Sequence, residues 1–466
     1  MEREAHSKGL AVKCREMRRC WPYTEMENLT LTKLALISQR ARREPKCQFT
    51  SLAHLLDEGF LKECYKGLGR DRACGMDGVS WTEYGEQLDE NVRDLVARMK
   101  AKRYRPQPVK RVYIPKDEHS KRPLGLPSLE DKIVQKAIAR VLEAIYEADF
   151  LDSSYGFRPQ RSCHQAISAV DKMIRTQYIN HVIEADIKGF FDNMSHAWMM
   201  KFLKVRIKDP SFLLLVERFL QAGYIEAGQI IVLDQGTPQG GNLSPILSNI
   251  FLHYVLDLWF AKRVKPRARG LCTMVRYADD FVCMARFPGD AQRIDLAMRE
   301  RFRRFGLELH PDKTRVVSFG RFERTNAERQ KRKANTFDFL GFTHYCGKSR
   351  KGKFLLCRKT SAKKFRRKCK ELNAWLKATR NACKVKEWWP ILRAKLRGHY
   401  QYYGVSLNSR SLRRFHQVAL HLILKWLNRR SQRHSFTWRK FSEYLKRYPL
   451  PKPYIVHNLY ALSPKA

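Results

Sequence analysis

No Cys-x-x-Cys pair occurs anywhere among the 12 cysteines of this sequence, so it spells out neither a zinc ligand set nor a disulfide scaffold. Cysteine here reads as a small buried hydrophobe. No apolar run is long enough to span a bilayer, because the longest, Pro245 to Ala261, is broken by Ser248, Asn249, His253 and Asp257. Met1 to Leu10 carries Glu2 and Glu4 and lacks the apolar centre of a secretory signal. The expected location is therefore cytoplasmic, in the bacterial cytoplasm or nucleoid ahead of an organelle. Internal repeats and low-complexity tracts are also missing. Acid is scarce: 46 Asp and Glu face 91 Lys and Arg, which leaves +45 on 466 residues. The 44% hydrophobic content excludes wholesale disorder. A length of this order is a prior for about three domains, and a field of that sign asks for a polyanionic partner, nucleic acid first.

The charge is unevenly spread. From His344 to Ala466, 32 Lys and Arg stand against three acids, so +29 lies in the last quarter of the chain. Lys363, Lys364, Arg366, Arg367 and Lys368 form one dense cluster within it. Beyond that cluster Leu412, Phe415, Ala419, Leu422 and Trp426 recur at helical spacing, with Arg413, Arg414, Lys425, Arg429 and Arg430 off the stripe. A solvated basic helix accounts for the pattern as well as an RNA-binding one does, and the total charge favours RNA. Upstream, Ser128 with Asp131 marks a helix start, and Val134, Ile138, Val141 and Ile145 carry the helix towards Asp149. The run His181 to Asp186 predicts a strand ending in an acid, and Ser195 opens an amphipathic helix through Trp198, Phe202 and Ile207. Two strand-like runs flank Ala278-Asp279-Asp280, a hairpin with two acids at its tip. Together these signals predict an α+β core followed by a helical basic lobe.

Two adjacent carboxylates on a hairpin tip raise each other's pKa and need a counter-charge. A divalent cation supplies one, and with Asp186 as a third carboxylate the donor set is hard oxygen, suited to Mg²⁺. Two such ions about 4 Å apart activate a 3′-hydroxyl and steady the leaving pyrophosphate. A Tyr-x-Asp-Asp string alone is also an ordinary turn, so its neighbours decide its weight.

Those neighbours are Lys116 with Arg122-Pro123-Leu124-Gly125, Ser154 to Pro159, Asp186 to Asp192, Gly236 to Pro245, Tyr277 to Asp280, Leu307 to Lys313 and Phe339 to Phe342. In that order they resemble the reverse transcriptase and maturase proteins encoded by group II introns. The resemblance implies a right-hand polymerase of fingers and palm followed by a helical thumb and maturase lobe. It places an N-terminal extension and fingers in 1–185, the palm in 186–345 and the basic thumb and maturase region in 346–466. Asp186, Asp279 and Asp280 would be the catalytic metal ligands, with the Ile187 backbone as a further oxygen. Two Mg²⁺ ions are implied, for which Mn²⁺ can substitute. Lys116 and Arg122 would clamp the triphosphate, a point charge beside a fork. Phe191 would exclude a 2′-hydroxyl, although strand alternation does not say whether it or Phe190 faces the nucleotide. Gln239, beside Gly240 and Gly241, would touch the nucleotide, and Lys313 would approach the pyrophosphate.

Residues Tyr155 to Pro159, including Arg158, read equally as template contacts or as a structural turn. The stretch Leu396 to Gly404, with Arg397, reads equally as base-stacking surface or as core. The RNA-binding set implied is Arg158, Lys363, Lys364, Arg366, Arg367, Lys368, Arg397, Arg413 and Arg414. Since the 363–368 cluster is distant in sequence from the three acids, its neutralisation is expected to spare polymerisation. The implied partners are group II intron RNA, an RNA template, a DNA primer or target DNA, and deoxynucleoside triphosphates, with no membrane and an unread oligomeric state. The implied activity is RNA-directed DNA synthesis with maturase action and support of retrohoming. A C-terminal endonuclease is not expected, because after Pro453 only 13 residues follow and none is cysteine. A non-catalytic splicing cofactor and a domesticated or defence-linked reverse transcriptase are the alternatives.

Overall fold

The computed structural model of the chain describes residues 25–115, 121–226, 228–231, 234–237, 240–430 and 436–460. The chain folds into two compact units and crosses between them at Leu151/Asp152, Lys188/Gly189 and Tyr254/Val255. Both units are thus discontinuous in sequence, and their edges fall elsewhere than at 185 and 345. The cause is strand pairing, which reaches far along the chain.

In the first unit β1 (Val109–Pro115) and β2 (Lys121–Leu126) form an antiparallel hairpin, extended on the β1 side by β5 (Tyr224–Glu226) and β6 (Gln229–Ile231). The helix Leu129–Tyr146 starts where Ser128 accepts a hydrogen bond from the Asp131 amide. Its residues Ile133, Val134, Ile138, Val141, Leu142 and Ile145 are fully buried, and each such side chain contributes roughly 1.5–3 kcal/mol on transfer from water. Asp131 is also buried and accepts from the Tyr104 hydroxyl and the Gln107 amide. Burial pushes its carboxyl up to about 6 against those bonds. The helix His196–Arg206 follows its Ser195 cap, as the sequence predicts.

In the second unit the central sheet runs β10-β3-β8-β7, with β3 at His181–Ala185, β7 at Cys272–Tyr277, β8 at Asp280–Ala285 and β10 at Arg315–Ser318. Val182, Val275, Val282 and Met284 pack beneath the helix Cys163–Thr176, against Ala166, Val170 and Ile174. After Asp186 the chain enters a second small sheet, β4 (Ile187–Lys188) against β9 (Glu308–Leu309). A third sheet, β11 (Thr336–Phe339), β12 (Phe342–Lys348) and β13 (Phe354–Thr360), leads into the helices Ala362–Ala382, Val385–Tyr403, Ser409–Asn428 and Trp438–Arg447. This is the α+β core with a helical end that the residue pattern predicts.

One expectation about the helical end needs correction, and one open reading is narrowed. Ile423 is fully buried and Leu422 only half-buried, because the buried stripe keeps the helical repeat through Leu412, Phe415, Ala419, Ile423 and Trp426. The stretch Leu396 to Gly404, which the sequence leaves open between core and base-stacking surface, buries Leu396, Tyr400 and Tyr403 and exposes Arg397 and Gln401, and the Tyr400 hydroxyl meets His416 Nδ1 at 2.8 Å. Every cysteine among the described residues is free. No described helix is long and apolar enough to cross a membrane.

Candidate active site

Asp186 stands at the step from β3 to β4, where its carbonyl accepts from the His310 amide at 2.8 Å. Asp279 and Asp280 come from the β7–β8 hairpin, in which Tyr277 pairs with Asp280 across a tip made of Ala278 and Asp279. β3 and β8 are neighbours in the sheet, with Ala185 opposite Phe281. Sheet pairing therefore delivers acids from distant parts of the sequence to one edge. Ala278 takes φ 56°, the left-handed conformation that a two-residue hairpin tip needs at its first position and that glycine usually fills. The strain sits directly before the first acid.

A cavity of about 500 Å³ opens there, lined by Asp186, Asp280, Lys313, Lys363 and Lys364 among others. Asp280 keeps solvent access, yet surrounding protein strips enough water from it to push its carboxyl up to about 6. Asp279 and then Asp186 add to that rise, while Lys364 and Lys313 oppose it. Lys313 closes the 3₁₀ turn Pro311–Lys313 and donates from Nζ to Asp186 Oδ2 at 2.6 Å. The donor chemistry suits a hard divalent cation, and a lysine ammonium already stands where positive charge is wanted. The arrangement is loose, however. Among the described residues no three His, Cys, Asp or Glu side chains converge closely enough to hold a metal ion by themselves.

Of the residues expected to meet the nucleotide, all but Lys313 belong to the first unit. Arg122 is exposed on β2, opposite Ile114. Phe190 is buried edge-to-face against Phe251 with ring centroids 6.2 Å apart, whereas Phe191 is half-buried, so it is the Phe191 ring that keeps an open face. The amide of Thr237 donates to the Phe191 carbonyl at 2.7 Å. Gly236 lies so close that a Cβ there would meet the Asp192 carbonyl oxygen at 2.6 Å. The Asn242 amide is tied to Gln135 Oε1 at 2.9 Å. A cavity of about 160 Å³ within this unit is lined by Arg111, Pro123 to Gly125, Tyr224 and Gln235 to Thr237. Lys116 and Gln239 lie outside the described residues.

A family model described as reverse transcriptase (RNA-dependent DNA polymerase) matches residues 114–344. The chain is 38% identical over 256 residues to the group II intron-encoded protein LtrA of Lactococcus lactis subsp. cremoris, across 52% of this chain and 42% of that protein. It is 35% identical over 278 residues to protein YkfC of Escherichia coli K12, across 52% of this chain and 71% of that protein. It is also 40% identical over 226 residues to an uncharacterized 91 kDa protein in a cob intron of Schizosaccharomyces pombe, across 48% of this chain and 28% of that protein. This chain belongs to the group II intron-type reverse transcriptases. It spans less than half the length of the Lactococcus relative.

Within this reverse transcriptase the basic residues separate into different settings. Arg158 is buried and donates to the Ser154 carbonyl at 2.8 Å, so it braces its own turn and is not an exposed RNA contact as the sequence suggests. Gly156 on that turn lies against the β7–β8 hairpin, where a Cβ would stand 2.3 Å from the Ala278 nitrogen. Arg397, Arg413 and Arg414 are exposed, with the Arg414 guanidinium 5.4 Å from the Phe365 ring centre. Arg366 is exposed, while Arg367 and Lys368 both pair with Glu371, at 3.3 and 2.7 Å.

Lys363 and Lys364 are the surprise, because they open the helix Ala362–Ala382 on the wall of the carboxylate cavity, so the 363–368 cluster is not remote from the acids. β11 brings them there: the Asp338 amide donates to Glu184 on β3 at 3.3 Å, and the Ser361 amide donates to the Gly341 carbonyl at 3.0 Å. Burial, then Arg367, holds the Lys364 ammonium below the usual lysine value, and Asp280 pulls it back up. No spacing in the sequence signals this return. Gly156 does carry a signal, since glycine is the usual residue where a turn brings backbone into close approach.

Proposed function

We propose that this protein is an RNA-directed DNA polymerase that extends a DNA primer on RNA, and that its basic helical end binds a group II intron RNA and assists its splicing and retrohoming. The placement of Asp186 at the end of β3 and of Asp279 and Asp280 on the hairpin that opens the neighbouring β8, with Lys313 bonded to Asp186, supports this reading most directly. Asp186 and the hairpin acids are the groups that would hold two divalent ions, Mg²⁺ with Mn²⁺ as substitute, together with substrate phosphates and the Ile187 backbone. Such ions, when bound, lower the pKa of the primer 3′-hydroxyl and neutralise charge building on the leaving pyrophosphate. Lys313, whose Nζ stands 2.6 Å from Asp186 Oδ2, would be the cation at hand for a leaving pyrophosphate. Arg122, with Lys116 and Gln239 beyond the described residues, takes the deoxynucleoside triphosphate, and the Phe191 ring occupies the space a 2′-hydroxyl needs.

Primer extension of oligo(dT) on poly(rA) tests the activity: incorporation of dTTP with Mg²⁺, stopped by EDTA, is expected. An inert protein under those conditions that still binds intron RNA would leave the non-catalytic splicing cofactor as the better reading. Phe191→Ala is expected to admit ribonucleotides while largely keeping deoxyribonucleotide use, and Phe190→Ala is not, since Phe190 is core. Competition of rGTP against dGTP in single-nucleotide extension measures both. Parent-like discrimination by Phe191→Ala would move the sugar gate elsewhere.

A further inference from the structure

Arg276 is among the largest fully buried side chains of the described residues, and a carboxylate meets its charge directly. The guanidinium forks onto Asp257, Nε to Oδ1 at 2.8 Å and Nη2 to Oδ2 at 2.5 Å, with both side chains 0% exposed. The other terminal nitrogen, Nη1, donates to the Ala278 carbonyl at 3.0 Å. A buried ion pair is weak evidence for stability, because removing both charges from water offsets most of their attraction. The fork therefore asks for another explanation, and the bond to Ala278 offers one.

The Ala278 carbonyl and the Asp279 amide belong to one planar peptide unit, so fixing the oxygen fixes the direction in which the chain leaves for Asp279. Ala278 has a side chain and yet holds φ 56°, a conformation that persists only where surroundings over-determine it. The surroundings do so from several sides. The Arg276 amide donates to the Ser153 carbonyl at 2.8 Å, and the Tyr155 amide donates to the Arg276 carbonyl at 2.8 Å. Gly156 lies flat against the Ala278 nitrogen, leaving no space for a Cβ. Asp257 comes from the π-helical turn His253–Asp257, an irregularity that re-aims a side chain where a regular helix would not.

We propose that Arg276, oriented by Asp257, is a positioning residue that sets Asp279 by holding the Ala278–Asp279 peptide plane. This rests on the polymerase reading of the carboxylates. Buried as they are, neither residue touches substrate. Both act through the backbone of the turn, and a 1 Å displacement of a reacting group is worth on the order of 10²-fold in rate.

The test is the double variant Arg276→Met/Asp257→Leu, which removes both charges at similar volume, a change buried ion pairs often tolerate. Thermal unfolding and affinity for a primed template should stay near the parent's. The kcat for dTTP addition should fall by about 10²-fold with KM little changed. Hydrogen–deuterium exchange of peptides covering 272–282 should speed up. A folded double variant with the parent's kcat and exchange would overturn the inference. Should the double variant fail to fold, Arg276→Lys serves instead, because a compact ammonium cannot fork onto Asp257 and also reach the Ala278 carbonyl. It too should lose kcat with KM little changed, and a parent-like kcat would count equally against the proposal. The exchange arm needs no catalysis, so a parent that extends no primer would sink the polymerase reading while exchange still decides the clamp.

Discussion

Asp279→Asn is expected to cut cDNA synthesis at least a hundredfold while leaving RNA binding intact. Asn keeps the shape of the side chain and the hairpin tip, and it takes away one of the two charges that a divalent ion would find there. Metal stabilisation of a phosphoryl transition state is worth several kcal/mol, so a drop of roughly 10²–10³-fold in extension follows. The basic residues proposed to meet RNA are untouched, and the +29 of the last quarter of the chain is unchanged. Primer extension on poly(rA) with oligo(dT), run beside a filter-binding titration with structured intron RNA, reads both effects. Normal extension by the variant would remove Asp279 from the site.

That result depends on residues the sequence displays openly. Asp186, Asp279 and Asp280 are legible because strand patterns end in them and because short motifs surround them in a familiar order. Ser128 and Ser195 are legible as caps for the same local reason. What stays hidden is long-range. The pairing of β3 with β8 and β10, the burial of Arg158, and the return of Lys363 and Lys364 to the acids all follow from contacts between segments far apart in the chain. Arg158 illustrates the difficulty: an arginine in a polar turn looks exposed by composition, and only the Ser154 carbonyl shows why it is not. Arg276 is equally silent, since nothing in Val275-Arg276-Tyr277 announces a partner at Asp257.

The placement of the two lysines yields the second large effect. Lys363→Gln/Lys364→Gln is expected to slow extension about tenfold and to weaken binding of the primed template, whereas Arg366→Gln/Arg367→Gln/Lys368→Gln should leave extension close to normal. The first pair lines the cavity beside Asp186 and Asp280. In the second set Arg367 and Lys368 are already engaged by Glu371. Removing one cation that pairs with a phosphate flattens the dependence of log affinity on log salt by about 0.7–0.9. The lysine pair should therefore reduce the slope by roughly 1.4–1.8, and the second set by roughly 1 or less. Titrations of a primed template and of structured intron RNA at several KCl concentrations separate the two sets. Equal extension by both variants would mean that the cavity wall plays no part in holding the strand.

The three crossings between the units set a timetable for synthesis on the ribosome. β3, at 181–185, has its sheet partners at 280–285 and 315–318, so it leaves the exit tunnel long before anything can pair with it. At roughly 5–20 residues per second the wait for β8 alone is on the order of 5–20 seconds. Throughout it an apolar strand with two open edges is available to the wrong neighbour, which is the situation that invites aggregation and holdase chaperones. A fragment that stops before Asp280 never ends the wait, and a fragment that starts after Lys188 lacks the strand around which that sheet is built. Splitting this chain for expression is therefore expected to yield insoluble pieces wherever the cut separates β3 from its late partners, and slowing translation across 186–280 is expected to lower the soluble yield of the whole.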